Sequence, residues 1–253
     1  MKFAILDGYY IFNALKKCGL SSDKLSMKVL IESTYEKLGA THGLVVFPDM
    51  ASNHRKSVID TFPLNRKGFS FLDLHQMGMA RKAMQESGIA TLQCVNISFV
   101  DVCATIIDKL SKQEASYSLM TDCPLCLQLI SDSVSIVTSD LSKTKDSEWI
   151  AKQYMMPSSM IPDYYAIVGL SGLGIPKQHE LDSTTLSQSL LSFGGLYGVN
   201  VAITDNAELG SLSGLKPIFS DVTRNYVAIK AKSDAKLGLS LNKVQISNQK
   251  AAA

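Results

Sequence analysis

The chain has 253 residues, 46% of them hydrophobic and 19% charged, so it is long enough to bury one large core or two smaller ones. Its formal net charge of +2 excludes a strong overall positive field, so any nucleic-acid site must be a local patch. The apolar runs are far shorter than the roughly 20 residues that a membrane-spanning helix needs, and five scattered cysteines favour reduced thiols and a cytoplasmic protein.

Apolar strands and amphipathic helices alternate along the first half of the chain. The predicted strands cover residues 2–7, 42–47, 90–95, 116–122 and 133–139, and the predicted helices cover residues 25–38, 71–87, 100–112 and 124–130. Strands separated by helices indicate βαβ units and a parallel sheet that is buried on both faces. The predicted fold class is therefore α/β, a parallel sheet flanked by helices.

The second half of the chain changes character from about Met156. Residues 160–176 read as a helix followed by a glycine-rich turn, and residues 183–193 read as a further helix with Ser183 as its N-cap. Strand patterns become hard to find here. We therefore predict an α/β domain over residues 1–155 and a mainly helical region over residues 156–253.

Carboxylates follow several of the predicted strands. Asp7, Asp49 and Asp122 come directly after apolar strands, and Asp101 opens the helix after the strand at residues 90–95. Sites in parallel sheets lie at the carboxyl ends of the strands, so these four carboxylates can converge on one rim. Such a rim would suit Mg²⁺ or Mn²⁺, which prefer oxygen ligands and can act in phosphodiester hydrolysis. The alternative is that these aspartates are turn and N-cap residues.

A basic segment follows the second of these strand ends. Residues 55–67 read R-K-S-V-I-D-T-F-P-L-N-R-K, with Arg55, Arg66 and Lys67 as candidates to hold phosphates. The alternative is that these basic side chains only keep a surface loop solvated. Considered together with the carboxylates, however, the segment makes a metal-dependent nuclease competitive with the structural interpretation.

The five cysteines include a C-x-x-C pair, Cys123 and Cys126. A zinc site would need a second pair of ligands, for which His179 and Glu180 are poor candidates. A thioredoxin-type redox motif would need to open a helix after a strand. The interpretation that we favour is that these are small buried residues.

Several segments resemble the 5′-nuclease superfamily, the flap endonucleases and polymerase-linked 5′–3′ exonucleases, and most of all the short bacterial exonuclease IX-type proteins. These segments are I-L-D-G-Y-Y-I-F-N-A, H-G-L-V-V-F-P-D, the basic segment, D-V-C-A-T-I-I, M-T-D-C-P-L-C-L-Q-L-I, I-P-D-Y-Y-A-I-V-G-L-S-G-L-G-I-P and L-K-P-I-F-S-D-V-T-R-N-Y-V-A-I. The similarity runs nearly end to end and in the same order. It implies a PIN-like fold with a helical, helix-hairpin-helix-like half that binds DNA.

The resemblance also implies roles for individual residues. Asp7 stands in the place of the first metal-binding aspartate, Asp7 and Asp101 would be the catalytic anchors, and Asp49 and Asp122 would be displaced helpers around Mg²⁺ or Mn²⁺. The hairpin that binds K⁺ and duplex backbone in the family would here involve Ile167, Val168 and Pro176. DNA with 5′ flaps, ends or junctions would be the partner.

The chain departs from the family pattern at most of the site. The acidic cluster of a Glu and two adjacent Asp reads S-F-V-D, which leaves only Asp101, and the next aspartate pair falls on Cys123 and Leu125. The active-site lysine falls on Pro63, and the hairpin reads K-Q-H-E-L-D without its glycines. Two hypotheses follow: a 5′ nuclease with a thinned metal site, or an inactive relative that binds DNA or a protein partner. The residues favour the second hypothesis.

Overall fold

The computed structural model of the protein describes residues 1–17, 24–48, 54–63, 70–94 and 96–246. A six-stranded sheet in the order β3-β2-β1-β4-β5-β6 forms its centre. The strands are β1 (Lys2–Asp7), β2 (His42–Pro48), β3 (Thr91–Cys94), β4 (Ser116–Met120), β5 (Val134–Val137) and β6 (Thr144–Lys145). Strands β1 to β5 are mutually parallel, which confirms the predicted α/β fold class.

The short edge strand β6 was not predicted, and it runs antiparallel to β5. The chain reverses direction within a few residues, where the Thr138 N–H donates to the Lys143 carbonyl over 3.1 Å. A connection this short can join only antiparallel strands. Two residues are also too few for an apolar alternation to be visible in the sequence.

Eleven α-helices surround the sheet within the described part of the chain. They are α1 (Gly8–Lys17), α2 (Lys24–Lys37), α3 (His54–Val58), α4 (Phe71–Glu86), α5 (Phe99–Lys109), α6 (Ser147–Tyr154), α7 (Ile161–Val168), α8 (Ser183–Phe193), α9 (Leu196–Thr204), α10 (Phe219–Ile229) and α11 (Leu241–Val244). None of the helices in the described residues is long and apolar enough to cross a bilayer.

Two local predictions need correction. The segment from Pro124 to Leu129 forms a 3₁₀-helix rather than an α-helix. The N-cap of α8 is Asp182, whose carboxylate accepts the Thr185 N–H over 2.9 Å, rather than Ser183. Aspartate and serine are nearly equivalent N-caps, so the sequence alone did not distinguish these neighbours.

Each face of the sheet carries its own hydrophobic core because side chains alternate along β1. Phe3 and Ile5 point to one face, where they join a cluster that continues through α5 into the C-terminal helices. Ala4 and Leu6 point to the other face and pack with residues of α1, α2 and α4. Burial on both faces is what a parallel sheet requires.

The first of these cores crosses the predicted boundary between residues 155 and 156. It includes Leu119 and Ile136 from the sheet, and Ile167, Leu186 and Val222 from the helices beyond the boundary. The division into residues 1–155 and 156–253 therefore stays a prediction about roles, while the packing on this face joins the two regions. This shared core holds the C-terminal helices beside the carboxyl ends of the strands.

Candidate functional site

Asp7 is the last residue of β1 and is fully buried. One carboxylate oxygen accepts the backbone N–H groups of Tyr9 and Tyr10, over 3.1 and 3.3 Å, in the first turn of α1. The other oxygen accepts the Thr121 hydroxyl over 2.9 Å, just beyond the end of β4. Asp7 thus links two central strand ends, and the positive end of the α1 dipole stabilises its charge.

Asp101 is buried in the first turn of α5, and its carboxylate forms an ion pair with an arginine. The two outer nitrogens of Arg55 donate to the two carboxylate oxygens of Asp101 over 2.7 and 2.9 Å, an end-on bidentate ion pair. Both side chains are shielded from solvent, with exposures of 0% for Arg55 and 2% for Asp101. The carboxylate predicted to anchor a metal ion is therefore neutralised by a cation from the protein itself.

Further hydrogen bonds hold this ion pair in place. The Ser98 hydroxyl donates to Asp101 over 2.7 Å, and the Lys232 backbone N–H donates to it over 2.9 Å. Arg55 also donates to the carbonyl of Lys230 over 3.4 Å. The pair therefore ties α3 to the start of α5 and to the segment after α10.

The pKa of Asp101 reflects this competition between burial and pairing. Burial raises the pKa, but the hydrogen bonds and charge of Arg55, together with the Lys232 N–H and the Ser98 hydroxyl, outweigh burial and lower it below its ordinary value. Asp101 is therefore ionised at neutral pH, and its negative charge is already compensated inside the protein.

His54 lies beside the same ion pair. Its Nδ1 is 3.9 Å from a carboxylate oxygen of Asp101, and its Nε2 is buried without a hydrogen-bond partner among the described residues. Burial and the charge of Arg55 lower the pKa of His54, although Asp101 opposes them. A neutral imidazole therefore faces the pair, and Arg55 supplies the compensating charge.

The thiol of Cys103, in α5, lies within the electrostatic influence of both Asp7 and Asp101. This thiol is fully buried, and burial followed by the charges of Asp7, Cys123 and Asp101 raises its pKa well above the usual range. This buried thiol is therefore neutral, and it feels the charge of both carboxylates that the sequence predicted to hold metal ions. Cys126 is buried nearby and Cys123 is half-buried, and neither forms a disulfide.

Asp122, in contrast to these buried carboxylates, is exposed at the surface. With Cys123 and Pro124 it lines an open cleft of about 470 Å³, whose opposite wall is the turn from Gly169 to Leu173. The strand end of β4 and the hairpin after α7 thus face each other across this cleft. Asp49, Arg66 and Lys67 lie outside the described residues.

The described residues do not form a divalent-metal site. No three His, Cys, Asp or Glu side chains within the ranges that the structure covers come close enough together to hold an ion. Asp7 accepts three hydrogen bonds, and Asp101 is paired with Arg55. Val100 stands where the family pattern has an acidic residue, and its apolar side chain is fully buried. This donor set does not suit Mg²⁺ or Mn²⁺.

The hairpin after α7 is fixed against the segment that follows α3. Leu170 and Ile175 pair across the hairpin, and the Thr61 hydroxyl, beyond the end of α3, donates to the Gly174 carbonyl over 2.5 Å. The segment that carries Arg66 and Lys67 begins directly after Pro63. The hairpin therefore contacts the basic segment at Thr61.

Gly174 is required for this contact, so Gly174→Ala is expected to destabilise the protein. Its φ is +64°, and a Cβ there would lie 2.0 Å from the Thr61 carbonyl oxygen. The strained backbone and the clash should together lower the free energy of unfolding by more than about 1 kcal/mol. Chemical denaturation measures this. Gly172→Ala is the matched control, since a Cβ there meets nothing within 4 Å; equal stability of the two variants would contradict the role of Gly174.

The comparisons with known proteins identify this architecture. The chain is 22% identical to the protein named Flap endonuclease Xni of Tolumonas auensis over 192 residues, 75% of this chain and 74% of the relative. It is 22% identical to Flap endonuclease Xni of Aeromonas salmonicida over 206 residues, 81% of this chain and 77% of the relative. It matches no protein-family model.

Solved structures agree with these relatives. The 5′-exonuclease of bacteriophage T5, in a structure with bound zinc ions, superimposes with a TM-score of 0.76 at 14% identity, covering 90% of this chain and 89% of the other. The chain shares the fold of this 5′-exonuclease. The catalytic core of Rad2 in complex with a DNA substrate superimposes with a TM-score of 0.55 at 14% identity, covering 99% of this chain and 90% of the other. The predicted resemblance to the 5′-nuclease superfamily, close to Xni-type bacterial proteins, is confirmed.

Within this 5′-nuclease fold, sequence reasoning missed the partners of the predicted residues. Arg55 was predicted to hold phosphate, and the structure places it inside the protein, so that role would require the ion pair with Asp101 to open. Thr121, which holds Asp7, has no sequence signal of its own. The proximity of Ser98 to Asp101 was visible, because S-x-x-D before an apolar run is a capping-box pattern.

Proposed function

We propose that this chain binds DNA with 5′ flaps, ends or junctions and that its metal-dependent phosphodiester hydrolysis is weak or lost. The 5′-nuclease fold and the relatives named Flap endonuclease Xni support the DNA-binding part. One observation supports the weak or lost hydrolysis: the guanidinium of Arg55 donates two hydrogen bonds to the carboxylate of Asp101. Asp7 and Asp101 remain the proposed anchors of any residual activity.

Any Mg²⁺ or Mn²⁺ would be held weakly in such a site. Asp49 and Asp122 are the proposed additional ligands, and Asp122 is exposed at the surface, whereas Asp7 and Asp101 are buried. Each lost group that stabilises charge in the transition state commonly lowers a rate by about 10²–10³-fold. Several such losses together leave little useful hydrolysis.

The proposed DNA surface runs from the hairpin to the basic segment and the C-terminal region. Arg66 and Lys67 are the proposed phosphate contacts, because they follow closely in the sequence after Thr61, which contacts the hairpin. Exposed basic side chains continue on the segments around α10, at Lys216, Arg224, Lys230, Lys232 and Lys236. In this proposal residues 156–253 supply the duplex-binding half, and the protein acts in the cytoplasm.

A second candidate is a module that binds a protein partner. On α9, Tyr197 is 81% exposed and Val201, one turn later, is 42% exposed. Apolar side chains on one helix face are typical of surfaces that contact other proteins. This candidate becomes the better one if DNA binding is absent.

DNA binding is expected to be strong at low salt and to weaken steeply as salt rises, because phosphate contacts release counterions. A fluorescently labelled 5′-flap duplex, titrated with the protein at several KCl concentrations, measures this. Arg66→Ala and Lys67→Ala should each weaken binding and reduce the slope of log K against log salt by about 0.9.

The control variant for this titration is Lys112→Ala. Lys112 is exposed and precedes β4, so it lies toward the amino ends of the parallel strands, whereas Asp7 lies at their carboxyl ends. It should leave both affinity and slope unchanged. An affinity for the flap duplex that is undetectable at low salt would contradict the proposal and favour the protein-binding candidate.

A further inference from the structure

The end of α7 presents several backbone carbonyls toward the hairpin. The last four carbonyls of a helix have no partner within the helix. The Tyr165 carbonyl accepts the Gly169 N–H over 2.9 Å, and the Ile167 carbonyl accepts the Gln178 N–H over 2.8 Å. Among the described residues, no backbone N–H from beyond the helix donates to the Ala166 carbonyl; it accepts a hydrogen bond from a side chain instead.

That side chain is Asn225, which lies on α10 and is fully buried. Its amide nitrogen donates to the Ala166 carbonyl over 3.0 Å and to the Pro176 carbonyl over 2.8 Å. Ala166 belongs to α7, whereas Pro176 lies just after the hairpin. One amide group therefore bridges the two ends of the hairpin segment.

The orientation of this amide is fixed by its acceptors. A primary amide nitrogen has two N–H donors, and both are used here. The reverse orientation would place the side-chain oxygen of Asn225 against two carbonyl oxygens, which repel it. In the observed orientation that oxygen is buried without a hydrogen-bond partner among the described residues. Leaving a buried acceptor unpaired is unfavourable, so the two donated bonds determine the arrangement.

A monovalent cation at this hairpin would compete with Asn225 for the carbonyl of Pro176. Rings of backbone carbonyl oxygens are the ligands that replace the hydration shell of K⁺ in proteins. The resemblance to 5′-nucleases pointed to Ile167, Val168 and Pro176 as the residues of such a site. The Ile167 carbonyl already accepts a backbone N–H, and the Pro176 carbonyl accepts the amide of Asn225.

We propose that the side-chain amide of Asn225 takes the place of a monovalent cation and closes the hairpin, so that the hairpin holds its shape without potassium. The partial positive charges of the two N–H groups supply what an ion would supply to the carbonyls. Asn225 is in this sense a positioning residue for the hairpin. The consequence for DNA binding, that it does not depend on K⁺, rests on the function proposed above.

The unmodified protein provides the first test. Its thermal unfolding should have the same midpoint in KCl, NaCl and choline chloride at equal ionic strength, because no bound K⁺ contributes to the folded state. This measurement needs neither DNA nor a variant. A midpoint that is higher in KCl than in both other salts, and that rises with KCl concentration, would overturn the proposal.

Two variants provide the second test. Asn225→Ala removes the amide, and Asn225→Asp keeps the shape but places carboxylate oxygens against the Ala166 and Pro176 carbonyls. Both should lower the unfolding midpoint by at least about 2–4 °C. Asn200→Ala, at an exposed position on α9, is the matched control and should leave it unchanged. Asn225→Asp with the midpoint of the unmodified protein would overturn the proposal.

DNA binding gives a separate readout. The affinity for the 5′-flap duplex should be the same within about twofold in KCl and in choline chloride at equal ionic strength. A loss of affinity when K⁺ is absent would overturn the proposal. If the duplex is not bound in either salt, the proposed function fails, and the stability measurements still decide the role of Asn225.

Discussion

Arg55→Ala is expected to lower the free energy of unfolding by about 3–5 kcal/mol, because it leaves the buried carboxylate of Asp101 without its compensating charge. Burial of an unpaired charge is far more unfavourable than the loss of a hydrogen bond at the surface. The change also removes the hydrogen bonds from Arg55 to Ser98 and to the Lys230 carbonyl. Urea denaturation followed by circular dichroism measures the effect.

The matched control is an exposed pair of the same residue types. On α10, Nη2 of Arg224 lies 2.9 Å from Oδ1 of Asp221, and the two side chains are 51% and 42% exposed. Arg224→Ala should therefore change the free energy of unfolding by no more than about 1 kcal/mol. Replacing both buried partners, as Arg55→Met with Asp101→Leu, should be less destabilising than Arg55→Ala alone. An Arg55→Ala variant as stable as Arg224→Ala would contradict the assignment of a buried ion pair.

The same ion pair has a pH signature. Arg55 holds the pKa of Asp101 in the folded protein below its unfolded value of about 3.9. The stability that the pair contributes is therefore fully present above that unfolded value and is lost as the pH falls through the folded pKa. The difference in stability between the unmodified protein and the Arg55→Met/Asp101→Leu double variant should change in this acidic range, rather than near neutral pH.

A labelled 5′-flap duplex is expected to remain uncut by the protein in the presence of Mg²⁺ or Mn²⁺. Asp101 forms an ion pair with Arg55, and Asp7 accepts hydrogen bonds from the start of α1 and from Thr121. With several charge-stabilising groups missing, the rate should fall by far more than the 10²–10³-fold that one such loss commonly causes. Denaturing gel electrophoresis over hours, at enzyme excess, measures residual cleavage.

The control for cleavage is the Asp101→Ala variant. A trace of cleavage that remains unchanged in this variant would indicate a contaminating nuclease and agree with our proposal. Rapid metal-dependent cleavage, complete well before the hours that a trace activity would need, and abolished by Asp101→Ala, would contradict it, because Asp101 would then serve the metal or the substrate efficiently in spite of Arg55.

The sheet was predictable because its signal is local. Apolar runs ending in Asp7 or preceding Asp122 identify strands, and alternation with amphipathic helices determines the fold class. The edge strand β6 has only two residues and carries no such pattern. The tight helix after Cys123 has the same composition as an α-helix, so its 3₁₀ geometry was not visible in the sequence.

The candidate site was only half predictable, because its chemistry depends on pairs that are distant in the chain. The sequence identified Asp101 and Arg55 separately and assigned one to metal and the other to phosphate. Forty-six positions separate them, and nothing local indicates that they face each other. Asn225 and the Pro176 carbonyl are a similar case, since an asparagine within a helix has no motif that reveals its acceptors.

The most direct test of the central claim, that Arg55 rather than a metal ion compensates Asp101, is a titration with Mn²⁺ followed by electron paramagnetic resonance. The signal of free Mn²⁺ should rise in proportion to the Mn²⁺ added up to millimolar concentration, with and without the protein, because the described carboxylates offer no shared site. One or two equivalents of Mn²⁺ bound at micromolar concentration, and released by Asp7→Asn or Asp101→Asn, would contradict the claim.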